Sequence, residues 1–265
     1  MRVVPAILVA VLVMTPRASE AQSAERVWDE PRIFVDVNLF GSASSLVRDR
    51  TFTSIFVVSG ELGTFRANYP GPSRASLFPL VDLGGGYMIT RSFAAGVSFS
   101  RIKFEDAAGL EATIPHPTFL NAPASDTGAT DALTRRESAT HIFAAYVPLR
   151  TDRAELRIFG GPSFFWYTAD MVNDISYAQT FDPLSPQNVV TIDGFTSGEV
   201  SGSAIGFHLG GDFAYFFTRM FGMGAGVRFS RGTVTVDPEP LSQVSQEIRV
   251  GGTVVFLGVR IHLGG

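Results

Sequence analysis

The chain contains no cysteine in 265 residues, which excludes disulfides, thiolate metal sites and a lipid attached through a cysteine. Charge is scarce too. Only 17% of residues are Asp, Glu, Lys or Arg, where a soluble domain carries about 25%. A formal net charge of -4 offers no basic excess for nucleic acid and no block of like charge for a tail. The four histidines are scattered, and no glycine stretch lies between a strand and a helix to cradle phosphate. No metal and no cofactor are therefore expected. The N-terminal apolar run, Val3 to Met14, breaks at Thr15-Pro16-Arg17, short of the ~20 residues a transmembrane helix needs.

That short run has another use. It follows Met1-Arg2 and precedes Ser19-Glu20-Ala21, small residues at both positions a signal peptidase reads. Residues 1–21 are thus expected to be a signal peptide cleaved before Gln22. Residues 22–31 would be a short periplasmic segment, and residues 32–263 a single domain.

Phenylalanine and glycine are abundant, with 23 and 27 copies, and their arrangement is the main signal. From Ile205 to Phe217 every second residue is Ile, Phe, Leu, Gly, Phe, Tyr, Phe, against Gly206, His208, Gly210, Asp212, Ala214 and Phe216. Successive strand residues point to opposite faces, so one face is greasy and the other small or polar. The pattern returns over Phe221–Phe229 and again over Val255–Leu263. Lipid outside and a narrow polar lumen inside account for both faces.

Eight segments read as spanning strands: 33–41, 80–89, 92–101, 138–148, 154–167, 203–217, 220–231 and 250–263. Each is near the ~9–11 residues of a tilted transmembrane strand. Three connections are tight (Thr90-Arg91, Arg150 to Arg153, Thr218-Arg219) and four are long (42–79, 102–137, 168–202, 232–249). Tight turns in the periplasm and long loops outside would give this alternation. The Pro-, Asp- and Ser-rich loops read as solvated, mobile surface. Residues 51–69 admit two readings. They extend the first hairpin outside the membrane, or they add two strands turning at Ser59-Gly60-Glu61 and make the barrel ten-stranded. The fold class is therefore all-β, a transmembrane antiparallel up-and-down barrel, with eight strands preferred.

The last strand carries Gly258, Ile261 and Leu263, which resembles the Gly-x-x-hydrophobic-x-hydrophobic assembly signal of outer-membrane barrels. The resemblance implies recognition by the barrel assembly machinery. More broadly, residues 32–263 resemble the outer-membrane β-barrel domain proteins, small bacterial porin-like barrels. That implies location in the outer membrane in contact with its lipid, and brings no established activity.

Asp36, Asp82, Glu155, Arg157, His208, Asp212, Arg228 and Arg260 fall on inward faces. Unpaired buried charge is expensive, so an internal ion-pair network is expected, with Arg228 on the next strand as a partner for Asp212. His208 and Asp212 also suggest acid–base chemistry. However, they stand ~13 Å apart along one strand, and a structural role is preferred over a barrel hydrolase. Arg101 and Lys103 continue the lipid-facing register of Phe93, Val97 and Phe99 and would emerge at the outer rim. Tyr87, Tyr146, Trp166, Tyr167 and Tyr215 are candidates for an aromatic girdle. The expected role is structural or porin-like, through a narrow passive pore, without catalysis. Surface recognition through the long loops is the alternative.

Overall fold

The computed structural model describes residues 32–45, 50–69, 77–236 and 246–263. The expected signal peptide and the segment up to residue 31 lie outside the described residues. The strands are β1 (Ile33–Ser45), β2 (Arg50–Val58), β3 (Glu61–Tyr69), β4 (Leu77–Met88), β5 (Phe93–Ile114), β6 (Ala124–Arg150), β7 (Ala154–Phe181), β8 (Asn188–Phe216), β9 (Phe221–Val236) and β10 (Gln246–Leu263). All pairings are antiparallel. β1 pairs with both β4 and β10, closing a ring of β1 and β4 through β10. The barrel is eight-stranded.

Residues 51–69 extend the wall without widening it. β2 and β3 form a hairpin through Ser59 and Gly60, both at positive φ (50° and 88°), as a two-residue turn matched to strand twist requires. Along β5, β4 is the partner from Ala94 to Arg101. Higher up, β3 takes that place, with Asn68 opposite Gly109 and Thr64 opposite Thr113.

The three tight turns share one construction. Thr90, Thr151 and Thr218 each accept, on Oγ1, the amide protons of the residues two and three further on, at 2.9–3.4 Å. A threonine hydroxyl holding the local backbone in this way is a side-chain-stabilised turn.

At the opposite end the expectation of long loops needs correcting. β5 and β6 stay paired from Phe93–Tyr146 up to Ile114–Ala124, and β7 and β8 from Ala154–Tyr215 up to Phe181–Asn188. The segments read as loops 102–137 and 168–202 are therefore mostly strand. Only 115–123 and 182–187 connect these hairpins.

The reason is a change of face. On β9 the outward residues run Phe221, Met223, Ala225, Val227 and Phe229, then Arg231, Thr233 and Thr235. The inward residues run Gly222, Gly224, Gly226, Arg228 and Ser230, then Gly232, Val234 and Val236. The side that is apolar below Phe229 is polar above it, and the reverse holds inside. β5 turns over likewise between Phe99 and Arg101, and β7 between Trp166 and Thr168. The apolar belt from Phe221 to Phe229 matches the ~9–11 residues of a membrane-crossing strand. Above it, apolar side chains turn inward and pack as in a soluble protein.

Two apolar clusters fill that upper interior. One joins Phe52, Phe165, Tyr167, Met171, Val200, Val234, Val236, Ile248 and Val250. The other, further out, joins Phe65, Leu110, Ile114, Val172, Ile175 and Val190. At the turn end, Phe34, Met88, Phe143 and Val147 form a third. Gly86 and Gly96 make room for it, since a Cβ at either would stand 2.5 Å from the ring of Phe34 or Phe143.

Candidate functional site in the barrel lumen

Between the turn-end cluster and the upper core lies a charged layer. All eight inward residues singled out in the sequence face the lumen, and seven of them, all but His208, join this charged group. Arg157 of β7 and Asp212 of β8 are direct cross-strand partners, and Arg157 Nε donates to Asp212 Oδ1 at 2.8 Å. Its Nη2 reaches across to Asp36 Oδ2 of β1, also at 2.8 Å. Arg260 of β10 donates through Nε to Asp212 Oδ2 and through Nη1 to Asn38 Oδ1, both at 2.8 Å. Asn38 Nδ2 donates to Asp82 Oδ1 at 3.0 Å, and Arg228 closes the series on Asp82 Oδ2.

Glu155 sits at the turn end of this chain, 3.4 Å from Arg150 and 3.6 Å from Arg157. His262 lies 3.7 Å from it. Asp36, Asp82, Glu155 and Asp212 thus face Arg150, Arg157, Arg228 and Arg260. The balance matters. A buried charge is tolerated when paired and hydrogen-bonded, and here each carboxylate meets at least one guanidinium. Asp212 does not pair with Arg228, as expected from the sequence; its partners are Arg157 and Arg260, and Arg228 belongs to Asp82.

A second, uncharged chain runs across β5, β6, β7 and β8. Ser100 Oγ lies 3.3 Å from His141 Nε2, His141 Nδ1 lies 2.8 Å from Ser163 Oγ, and Ser163 Oγ lies 2.9 Å from His208 Nδ1. The two imidazole rings are 4.7 Å apart. His208 and Asp212 therefore belong to different groups. Sequence reasoning passed over Asn38, Ser100, His141 and Ser163. Their inward parity was available from the alternation, but none carries a formal charge to draw attention. Phe34, whose ring lies 4.6 Å from the Arg157 guanidinium, was equally silent.

The remaining space is small. Two cavities of about 30 Å³ are both lined by Arg228. Each has room for one or two waters. Above, Phe52 of β2 is buried within the upper core.

On the outer wall, Tyr87, Tyr146, Trp166 and Tyr215 are 46%, 47%, 50% and 42% exposed. Tyr167 is a correction: it is 3% exposed and lies in the upper interior. Adjacent strand residues cannot share a face, so Trp166 outside places Tyr167 inside. Gly258 faces inward against Val37 and Asn38 of β1. Ile261 and Leu263 lie on the opposite face of β10, half-buried and exposed respectively.

No protein-family model and no curated protein matches this chain. Among solved structures it is similar to the outer membrane protein OprG from Pseudomonas aeruginosa, at 10% identity and a TM-score of 0.40, over 89% of this chain and 98% of that one. It is similar to Ail, the attachment invasion locus protein of Yersinia pestis, at 10% identity and a TM-score of 0.38, over 88% and 99% of the two chains. It is also similar to the outer membrane protein AlkL, at 11% identity and a TM-score of 0.39, over 93% and 97%. Likenesses this distant assign no function.

Proposed function

We propose that this chain is an outer-membrane β-barrel with a structural role, a closed barrel that anchors a folded β-extension beyond the bilayer. The observation that carries this reading is the exchange of faces along β5, β7 and β9. A closed ring with a nine-residue apolar belt outside and paired charge inside suits hydrocarbon, whereas the stretch above it suits water. Export by residues 1–21 and recognition of Gly258, Ile261 and Leu263 by the barrel assembly machinery belong to the same proposal.

Within it, transport through the lumen is disfavoured relative to anchoring. An eight-stranded barrel is just wide enough for side chains to fill, and here aromatic and ion-paired side chains occupy successive levels. Catalysis is left out as well. His208 and Asp212 are both buried and engaged in separate hydrogen-bonded groups. The test is refolding into planar bilayers. Insertion without unit conductance steps is expected; stable steps that change in Arg228→Ala would favour the narrow pore.

One observation favours surface recognition as a second reading. Ile55, Val57, Leu62, Leu120 and Leu184 are 63–88% exposed on the β2–β3 hairpin and on the 115–123 and 182–187 connections, beyond the apolar belt. Exposed apolar groups clustered outside the membrane mark contact sites. Replacing them with serine would abolish binding of cells bearing the protein to its target surface if this reading holds, without affecting folding.

A further inference from the structure

A third cavity lies in the extension, above the charged layer. It measures about 50 Å³, room for about three or four waters. Four aromatic rings line it: Phe52 of β2, Tyr69 of β3, Phe104 of β5 and Tyr167 of β7. Phe52 and Tyr69 meet edge to face, with ring centroids 5.3 Å apart. Phe52 and Tyr167 are buried in the upper core, which fixes their rings in place.

The lining also holds Asp106. It follows Ile102 and Phe104 on the inward side of β5, since alternate strand residues share a face. Its cross-strand partner is Leu133, which offers a carboxylate no donor. Among the described residues, no side chain pairs with that of Asp106 and no donor reaches it. Neither of the other two charged lining residues answers it. Arg135, opposite Phe104, stacks on that ring at 4.5 Å and lies 3.5 Å from Glu137. Asp170 accepts the Thr134 amide proton through Oδ2 at 3.2 Å. Arg101, Lys103 and Arg136 stand on the outer face of β5 and β6, where Glu105 pairs with Lys103. Two carboxylates against one guanidinium leave the cavity with an excess of negative charge beside its rings.

We propose that this cavity binds a methylated ammonium group, such as the head of choline. A cation close to an aromatic face is attracted by the ring quadrupole, the more so where water is excluded, and cages of such rings recognise quaternary ammonium. Arg135 on Phe104 shows one ring of this set already holding a cation. Asp106 supplies the counter-charge. A primary ammonium fits less well, because it brings three N–H donors that each need an acceptor, whereas a methylated one brings none. The same group occurs on soluble choline and on phosphocholine lipid headgroups. Binding in the extension goes beyond anchoring and does not depend on it.

The test uses the full mature chain folded in a maltoside detergent, which carries no ammonium. Titration calorimetry compares choline with tert-butylethanol, in which carbon replaces the nitrogen, and with tert-butylacetate, an anion of similar shape. Choline should bind at least about tenfold more tightly than the neutral alcohol, the scale of a desolvated cation–π contact. Asp106→Asn should remove most of that preference and Phe104→Leu part of it. Asp152→Asn, in a tight turn at the opposite end, should leave it intact. Dihexanoyl phosphatidylcholine, kept below its micelle concentration, separates the two sources. Tighter binding than choline supports the site as one for a lipid headgroup, and equal binding supports it as one for a soluble ligand.

Equal binding of choline and tert-butylethanol by the parent overturns the proposal, since the cavity would then be merely apolar. Tighter binding of tert-butylacetate overturns it as well, by placing the cavity under the control of Arg135. Both comparisons are made within the parent and need no variant to fold. An undiminished preference for choline in Asp106→Asn, with strand content by circular dichroism equal to that of the parent, also overturns it.

Discussion

Arg157 and Asp212 stand directly opposite each other on β7 and β8, with Nε donating to Oδ1 at 2.8 Å and both side chains almost fully buried. Their partners Asp36, on the far side of the lumen, and Arg260, on β10, tie this pair to the closing strands. The network thus links β7 and β8 to the seam where β1 meets β10.

Removing one member should therefore destabilise the whole ring. Asp212→Ala leaves Arg157 and Arg260 each short of a carboxylate, and breaking a buried pair costs about 3–5 kcal/mol. The unfolding midpoint in denaturant should fall accordingly. Adding Arg157→Ala should recover part of the loss, whereas adding Arg228→Ala should deepen it, because Arg228 serves Asp82. Equal recovery by both second changes would mean the pairing is wrong.

How much of this was legible follows from β7. Up to Trp166 its even residues are apolar and its charged residues, Glu155 and Arg157, odd, so strand, register and inward charges were readable. From Phe165 on, the odd residues Phe165, Tyr167, Ala169 and Met171 are the apolar ones. A rule that assigns apolar to lipid then fails twice: it ends the strand at the membrane rim, and it sends Tyr167 outward. Physically, the solvent outside the barrel changes from hydrocarbon to water while the backbone continues unchanged. The hairpin at Ser59-Gly60 was readable because its turn chemistry is local. The partner of Asp212 was not, because Arg228, Arg157 and Arg260 all face the lumen and only the ring geometry selects among them.

The same correction sharpens the topology test. Chymotrypsin added to intact cells should cut after Phe119, Leu120 or Leu184, in the connections between the long hairpins. It should spare Tyr167 and Tyr177, which are held in strands. Trypsin should leave Arg91, Arg153 and Arg219 untouched at the other end. Trypsin cleavage at those three with the chymotrypsin sites protected would invert the orientation.

Tyr69 offers a pH test of the extension, away from the bilayer. Its hydroxyl accepts the Val172 amide proton at 2.6 Å, and burial pushes the phenol above its ordinary value of 10.0, partly offset by that hydrogen bond. A raised value in the folded state means that the stabilisation is complete below pH 10 and is lost as pH rises through the higher folded value. The absorbance titration of the parent minus that of Tyr69→Phe should have its midpoint above 10. Above that midpoint the 115–123 and 182–187 hairpins should become protease-sensitive before the ring does. A midpoint at or below 10 would mean that Tyr69 is not buried against β7.

The exchange of faces is most directly tested on β9 alone, where three positions a few residues apart predict three different outcomes for one substitution. Val227 lies outward within the belt, so Val227→Arg should cost about 2–4 kcal/mol in lipid. Leu209→Arg, on the neighbouring strand, should cost a similar amount near the midplane. Thr233 lies outward above the belt, where Thr233→Arg should change stability by no more than about 0.5 kcal/mol. Val234 is fully buried among Phe52, Tyr167 and Ile248, so Val234→Arg should prevent the extension from folding while the ring still inserts. Within the ring, Gly210→Arg should fail for steric reasons, since even a Cβ there would lie 2.6 Å from the Val227 carbonyl oxygen. Vesicle refolding followed by denaturant titration separates these cases. Equal tolerance of arginine at Val227 and Thr233 would remove the boundary between hydrocarbon and water from Phe229, and with it the register of the membrane-spanning belt.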